Sequence, residues 1–149
     1  MTYPFNAIIV LIPIIALGCQ SAHNYPGAKT EKEEVVTASG LRYIEMVEGT
    51  GDEAKTEMQV NVHYTGYLME GKKFASSFDS NEPLPFHLGA GEVIQGWDEG
   101  VASMKVGGHR KLIIPSQLAY GTRGIPGLIP ADATLVFDIE LLSVRKPAE

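Results

Sequence analysis

The residue types that most often carry reaction chemistry are sparse in this chain of 149 residues. Its one cysteine, Cys19, has no second thiol with which to form an internal disulfide. None of the four histidines has another histidine at a metal-ligand spacing such as H-x-x-x-H. The sequence also shows no Ser/His or Cys/His arrangement for covalent catalysis. We therefore expect neither a metal site nor a catalytic nucleophile.

Aromatic and large apolar residues, separated by glycines, are concentrated in three blocks of the chain. Taken singly, a residue such as Trp97 at helical spacing, or Tyr64 and Phe137 on strand faces, would ordinarily belong to a hydrophobic core. Only the combination of all three blocks indicates a functional site in addition to a hydrophobic core. The three blocks are residues 62–66 with 71–74, residues 86–89 with 92–100, and residues 119–121 with 127–130 and 133–137.

Hydrophobic periodicity predicts the elements that must position these blocks. Strands are predicted at residues 41–47, 60–65, 86–88, 110–115 and 135–141. The period then changes, since Trp97, Val101 and Met104 share one face of a helix. Glycines and prolines make residues 118–132 a long ordered loop, and such loops are usually functional. Several strands around one short helix predict an α+β domain.

The charge of the chain argues against nucleic acid as a partner. There are 12 basic and 18 acidic residues, which give a net charge of −6. Binding to phosphate backbones needs clustered Lys and Arg, whereas short basic runs such as Lys72-Lys73 and Arg110-Lys111 do not make a patch. The length fits one domain of about 100 residues with a short extension.

In their order and near-family spacing, the three blocks resemble the FKBP-type peptidyl-prolyl cis/trans isomerases. The resemblance covers residues 40–144, nearly all of the expected globular part. It implies an antiparallel sheet of five or six strands curled around one short helix. The active site would then be an apolar pocket between the helix and the sheet. We accordingly assign residues 37–146 to an isomerase domain.

The resemblance also implies which residues form the pocket. Trp97 is expected to be the floor under a proline ring, while the Ile94 backbone N–H and the Tyr120 hydroxyl hold peptide carbonyls. The residues assigned to catalysis are Tyr64, Phe74, Ile94, Trp97, Tyr120 and Phe137. The residues assigned to substrate binding are Val93, Leu84, Ile125, Leu128 and Ile129.

Such a pocket suits rotation about an X-Pro bond. The barrier of about 18–20 kcal/mol comes from amide resonance, and the two isomers are close in energy, so the reaction needs no cofactor. The twisted transition state is less polar than the planar amide, and a dry apolar pocket favours it. The implied partners are proline-containing polypeptides and macrolide inhibitors of the FK type.

Three positions depart from the family pattern. The family usually has an Asp after the Phe74 position, where it accepts from the tyrosine at the Tyr64 position, but this chain has Ala75. The basic residue that pairs with this Asp in some members is replaced by Ser80. Losing both partners of an ion pair is less costly than losing one, so the departure concerns catalytic strength rather than the fold. Leu84 stands where an aromatic residue is common and thins the pocket wall.

The N-terminus has the pattern of a secretory signal. Residues 7–17 are uniformly apolar but shorter than the about 20 residues that span a bilayer. They lead into A-L-G-C at residues 16–19, which resembles a lipoprotein signal box and implies removal of residues 1–18 and acylation of Cys19. Residues 1–6 lack Lys and Arg, and Ala16 stands where Leu is more usual. The alternatives are a simple signal peptide with an incidental cysteine, or a wrongly assigned start.

Residues 19–36 are then expected to form a lipid-anchored, flexible tether, because they combine a charged run with few large apolar residues. Several acyl chains give stable anchoring. We expect a monomer in the cell envelope, attached to the membrane by this lipid alone. Gln20 after the cysteine favours the outer membrane, with the domain facing the periplasm.

Three functions are open at this point. The first is an isomerase that assists the folding of extracytoplasmic proteins. The second, which Ala75 favours, is a weakly active module that binds proline-containing segments as a chaperone. The third is an interaction protein for which the fold is only a scaffold, and the presence of Ile94, Trp97 and Tyr120 argues against it.

Overall fold

The computed structural model describes residues 23–148, so the predicted signal segment and Cys19 lie outside the described residues. Within them, no helix is both long enough and apolar enough to cross a membrane. The strands are β1 (Glu34–Val36), β2 (Arg42–Val47), β3 (Gln59–Leu68), β4 (Lys73–Ser76), β5 (Leu84–His87), β6 (His109–Ile114) and β7 (Leu135–Arg145). The helices are α1 (Ser77–Ser80) and α2 (Gln95–Val101), and a 3-10 turn follows β6 at Ser116–Leu118.

All strand pairs of the sheet are antiparallel, in the order β1-β2-β6-β7-β3-β4, and β5 also pairs with β3. The first half of β3 pairs with β5 and the second half with β4. One edge of the sheet is therefore built from two short strands with α1 between them. Strands β3 and β4 form a hairpin, and Gly71 adopts a positive φ of 101° in the turn between them.

The core lies between the sheet and α2. The predicted apolar face of the helix is buried. Gly96 and Gly100 allow the helix to lie directly on β6, because a Cβ added to them would come within 2.4 Å of the Ile114 side chain and 2.6 Å of the Leu112 side chain. This close contact brings the side chains of α2 onto the inner face of the sheet.

The predicted α+β class, with a curled antiparallel sheet around one short helix, is confirmed. The sheet has seven strands rather than five or six. The seventh strand is β1, which lies within the segment that the sequence predicts to be a tether. A one-turn helix, α1, was also missed, because four residues are too few to show a helical period.

The expectation of a flexible tether is wrong for the part of residues 19–36 that the structure describes. Residues 23–36 lie against the domain, and β1 pairs with β2. The Tyr25 side chain packs on the outer face of the sheet against a small buried cluster of Ile44, Ile113 and Val136. Its hydroxyl donates a hydrogen bond of 2.6 Å to Glu34. We refer to residues 25–36 as the N-terminal strap.

A buried ion pair joins the strap to the sheet. Lys111 is only 1% exposed, and its Nζ donates to the Pro26 carbonyl at 2.7 Å and to the Asp138 carboxylate. Asp138 also accepts from the Ala28 backbone N–H at 2.8 Å. Gly27 passes so close that an added Cβ would lie 2.2 Å from an Asp138 oxygen. These hydrogen bonds hold the strap against the sheet, although its composition predicts a flexible segment.

Candidate active site

The side chains of the three sequence blocks meet in one pocket of about 190 Å³ between α2 and the inner face of the sheet. Strands β3, β4, β5 and β7 supply one side, and α2 with the segment before it supplies the other. A residue from the loop after the 3-10 turn completes the rim. The lining residues are Tyr64, Phe74, Ala75, Leu84, Glu92, Val93, Ile94, Trp97, Tyr120 and Phe137.

The Trp97 ring is held by edge-on contacts with its aromatic neighbours. Its centroid lies 4.9 Å from that of Tyr64 at an interplanar angle of 76°, and 5.2 Å from that of Phe137 at 88°. These are favourable arrangements for aromatic pairs. The Trp97 Nε1 is the one buried side-chain nitrogen or oxygen in residues 23–148 without a hydrogen-bond partner. Such an unpaired donor costs about 1–3 kcal/mol and therefore calls for an explanation beyond simple core packing.

Gly66 on β3 makes room for the aromatic wall. The rings of Phe74 and Phe137 meet edge to face, with centroids 5.5 Å apart at 88°. A Cβ added to Gly66 would come within 2.7 Å of both rings. The strand register also shifts between Gly66 and Tyr67. At Gly66 the strand therefore combines a close approach of the aromatic rings with a local irregularity in its pairing.

No carboxylate replaces the missing family Asp beside Tyr64. Ala75 lies in the pocket lining, and the Tyr64 hydroxyl makes no hydrogen bond within residues 23–148. Asp79, the next acidic residue along the chain, is exposed and pairs instead with Lys73 at 2.9 Å. Aromatic packing against Trp97 orients the Tyr64 ring.

The backbone of Tyr64 is fixed from below by a buried hydroxyl. The Ser77 Oγ accepts from the Tyr64 N–H at 2.8 Å and lies 2.7 Å from the His63 Nδ1. This contact connects the start of α1 to β3. It holds the strand position of Tyr64 without a partner for the phenol itself.

Besides the Tyr64 hydroxyl and the Trp97 Nε1, two further hydrogen-bond donors at the pocket have no protein acceptor within residues 23–148. Tyr120 is 39% exposed at the rim, and the pKa of its hydroxyl is raised, first by burial and second by the nearby Tyr64 phenol. The phenol therefore stays protonated, and able to donate, at neutral pH. The backbone N–H of Ile94, the residue before α2, is the second donor, with no acceptor among residues 23–148.

Three of the predicted substrate-binding residues are not in the pocket lining. Ile125 and Ile129 exchange two backbone hydrogen bonds of 2.8 Å, which close the tip of their loop. Ile129 is then turned into the core at 4% exposure, and Leu128 borders a separate cleft. The sequence placed all three in the pocket because it cannot show how this loop folds back on itself. The other predicted site residues with described positions all line the pocket.

Two lining residues are not among the assigned site residues: Ala75, which holds the position of the family Asp, and Glu92. Glu92 directly precedes Val93 in the second block, and its carboxylate accepts from the His87 backbone N–H at 2.9 Å. Its position next to Val93 and Ile94 in the sequence could have indicated that Glu92 also lines the pocket.

An aromatic pocket with free hydrogen-bond donors lies where the curled antiparallel sheet closes over the short helix. Such a pocket can hold an apolar ring and its flanking amides. The sequence pattern of the FKBP-type peptidyl-prolyl cis-trans isomerases matches residues 51–142. An FK506-binding protein of Neisseria meningitidis serogroup A is 54% identical over 100 residues, which are 67% of this chain and 92% of that protein.

Other relatives agree with this match. The peptidyl-prolyl cis-trans isomerase Fkbp12 of Drosophila melanogaster is 51% identical over 107 residues, which are 71% of this chain and 99% of that protein. The crystal structure of AtFKBP13 superposes with a TM-score of 0.72 at 42% identity, covering 76% of this chain and 99% of that one. The chain belongs to the family of FKBP-type peptidyl-prolyl cis-trans isomerases.

Replacing Tyr120 with Phe should lower kcat/KM for an X-Pro peptide about three- to tenfold, since one hydrogen bond contributes about 0.5–1.5 kcal/mol. Tyr120 is partly exposed, so the free energy of unfolding should change by less than about 0.5 kcal/mol. Tyr67→Phe is the matched control, because Tyr67 lies on the outer face of the sheet. Equal kcat/KM values for the two variants would show that the Tyr120 hydroxyl does not contribute to catalysis.

Proposed function

We propose that the pocket around Trp97 is the catalytic site and that it turns X-Pro bonds without forming a covalent bond. The observation that carries this proposal is the joint placement of the aromatic floor and walls with the Ile94 N–H and the Tyr120 hydroxyl, which have no protein acceptor within residues 23–148. The proline ring would lie on Trp97, and the Ile94 N–H and the Tyr120 hydroxyl would bind the flanking carbonyls. Orientation of the bound peptide supplies part of the rate increase.

Exclusion of water supplies a second contribution. The planar X-Pro amide is more polar than its twisted transition state, so an apolar environment stabilises the transition state relative to the ground state. Phe74, Phe137 and Tyr64 form such an environment above Trp97. No step of this mechanism transfers a proton or needs an activated nucleophile.

Macrolides of the FK type should bind in the same pocket, because their pipecolyl ring resembles proline. Trp97 is the one tryptophan of the chain, so its fluorescence reports on the pocket floor directly. We expect a saturable change in emission on titration with the macrolide, and reversal by an excess of a proline-containing peptide. Constant emission at saturating macrolide would contradict the placement of Trp97 under the ring.

Ala75 favours a second candidate, a module that binds proline-containing segments with weak turnover. Without the family Asp, the Tyr64 hydroxyl has no acceptor within residues 23–148. The phenol is then oriented by packing alone, which permits binding but fixes the rim less tightly. Binding of the macrolide without acceleration of X-Pro rotation would favour this second function.

We also propose that the protein assists folding outside the cytoplasm as a lipid-anchored monomer on the outer membrane, facing the periplasm. The support is the signal-like segment before Cys19 and the residue Gln20 that follows it.

The strap changes what such an anchor would do. Because the described chain is already packed on the sheet at Tyr25, only five residues, 20–24, lie between Cys19 and that contact. The six steps from Cys19 to Tyr25 can span at most about 20 Å. An acylated Cys19 would therefore hold the domain close to the membrane.

Mass spectrometry of membrane-extracted protein tests the anchor. We expect Cys19 as the first residue, carrying acyl chains, and no peptide from residues 1–18. The Cys19→Ser variant is the control and should lose both the acyl chains and the membrane fraction. A free thiol at Cys19, or an intact Met1, would refute the anchor and leave the isomerase site untouched.

A further inference from the structure

One charged side chain lies at the pocket, and it has no role in the mechanism described above. Of the ten lining residues, all from the described part of the chain, only Glu92 has a carboxylate or a basic group. The side chain is 46% exposed. It therefore stands at the rim, where a bound peptide must leave a pocket of about 190 Å³.

The Glu92 carboxylate is fixed in position by the end of β5. One oxygen accepts from the His87 backbone N–H at 2.9 Å, and the other lies 2.9 Å from the His87 Nδ1. The hydrogen bond from the backbone is the main cause, and the one from the ring the second cause, of a lowered pKa for Glu92. The carboxylate is consequently ionised and held at one place at neutral pH.

The segment that carries Glu92 is fixed as well. Asp98 in α2 accepts from the backbone N–H groups of Gly89 and Gly91 at 2.9 and 3.1 Å. The connection between β5 and α2 is therefore anchored on both sides of Glu92. The distance between the Glu92 carboxylate and a bound peptide is therefore fixed.

No nearby cation neutralises this charge. Within residues 23–148, no Lys or Arg forms an ion pair with Glu92, and its side-chain contact is the His87 ring. The family's Asp and basic residue are also absent, as Ala75 and Ser80. Glu92 thus sets the sign of the local potential at the rim.

We propose that Glu92 is a specificity-determining residue that favours peptides with Lys or Arg next to the proline. Glu92 is two residues before Ile94, whose N–H we assign to a carbonyl beside the proline. A flanking side chain therefore leaves the pocket near the carboxylate, and a long basic side chain reaches it. This inference rests on the proposed catalytic site.

The test compares peptides within each protein. Two series place Lys, Leu or Glu directly before the proline or directly after it, and kcat/KM is measured for each with the full chain. Exposed charge pairs give differences of about twofold to fivefold, and attraction is here set against repulsion. We expect a Lys-to-Glu ratio of about three to ten in at least one series.

Two further measurements separate specificity from a structural role of Glu92. Glu92→Gln keeps an acceptor for the His87 N–H but removes the charge, and it should bring the ratio close to one. Because the ratio is taken within each variant, a general loss of rate cancels. Glu48→Gln is the control with the same change in net charge; Glu48 is 77% exposed and outside the pocket lining, so the ratio should be retained.

Salt provides the independent readout. At high ionic strength the Debye length falls from about 8 Å to about 3 Å, and the wild-type ratio should shrink toward one. A ratio that Glu92→Gln leaves unchanged, or a ratio near one in both series of the wild-type protein, overturns the inference while the Leu peptides still report isomerisation. No turnover of the Leu peptides would instead overturn the catalytic site itself.

Discussion

Replacing Gly66 with alanine should lower kcat/KM for a Leu-Pro peptide by about ten- to a hundredfold, because a displacement of about 1 Å at a catalytic site can have an effect of this size. The added Cβ would come within 2.7 Å of Phe74 and Phe137. Neither ring can keep its present position at that distance. The two rings must move, and the pocket above Trp97 then changes shape.

The same substitution should destabilise the protein by about 1–3 kcal/mol, as overpacking of a core does. Gly71→Ala is the matched control, since Gly71 has a φ of 101° but no atom within 4 Å of an added Cβ. It should lower stability through backbone strain and leave kcat/KM unchanged. A loss of kcat/KM as large for Gly71→Ala as for Gly66→Ala would show that stability, and not the pocket, determines the rate.

Replacing Asp138 with alanine should lower the free energy of unfolding by about 3 kcal/mol, the lower end of the cost of breaking a buried ion pair. Lys111 would be left buried with the Pro26 carbonyl as its acceptor. The Ala28 N–H would lose its acceptor as well. Urea unfolding of the chain from residue 23 onward measures the effect.

Two further variants test the origin of that loss. Asp79→Ala removes an exposed ion pair to Lys73 and should change stability by less than about 1 kcal/mol. Lys111→Met combined with Asp138→Ala removes both charges, so that no ion stays buried alone, and most of the loss should be regained. If Asp138→Ala is no more destabilising than Asp79→Ala, the strap is not held by this pair.

The elements around the pocket could be predicted from the sequence because their signals are local. Trp97 and Val101 show the helical period, and Tyr64 alternates with polar neighbours on β3. Each pattern requires only a few adjacent residues. The family blocks then indicate which of these buried side chains face a common pocket.

The strap could not be predicted, because its order depends on contacts distant in sequence. Pro26 and Lys111 are 85 positions apart, and nothing in the composition of residues 23–36 announces a partner on β6. The fold of the loop at Ile125 and Ile129 was missed for a similar reason, since two backbone hydrogen bonds shape it. Backbone contacts of this kind leave little trace in residue types.

The position of Glu92 illustrates an intermediate case. Its neighbours Val93 and Ile94 were assigned to the pocket from the same block, but a carboxylate has no evident place in an apolar site. Its contact with His87 decides its orientation. That contact joins the end of β5 to the connecting segment before α2, and the residue types do not show how this segment turns back toward the strand.

The central claim is that the pocket around Trp97 catalyses X-Pro rotation, and the cis-to-trans relaxation rate of a Leu-Pro peptide tests it most directly. The protein should include the strap and therefore begin no later than residue 23. We expect a relaxation rate that rises in proportion to protein concentration and returns to the spontaneous rate when an FK-type macrolide saturates the pocket. A rate that stays at the spontaneous value with micromolar folded protein, or that the macrolide does not reduce, would contradict the account.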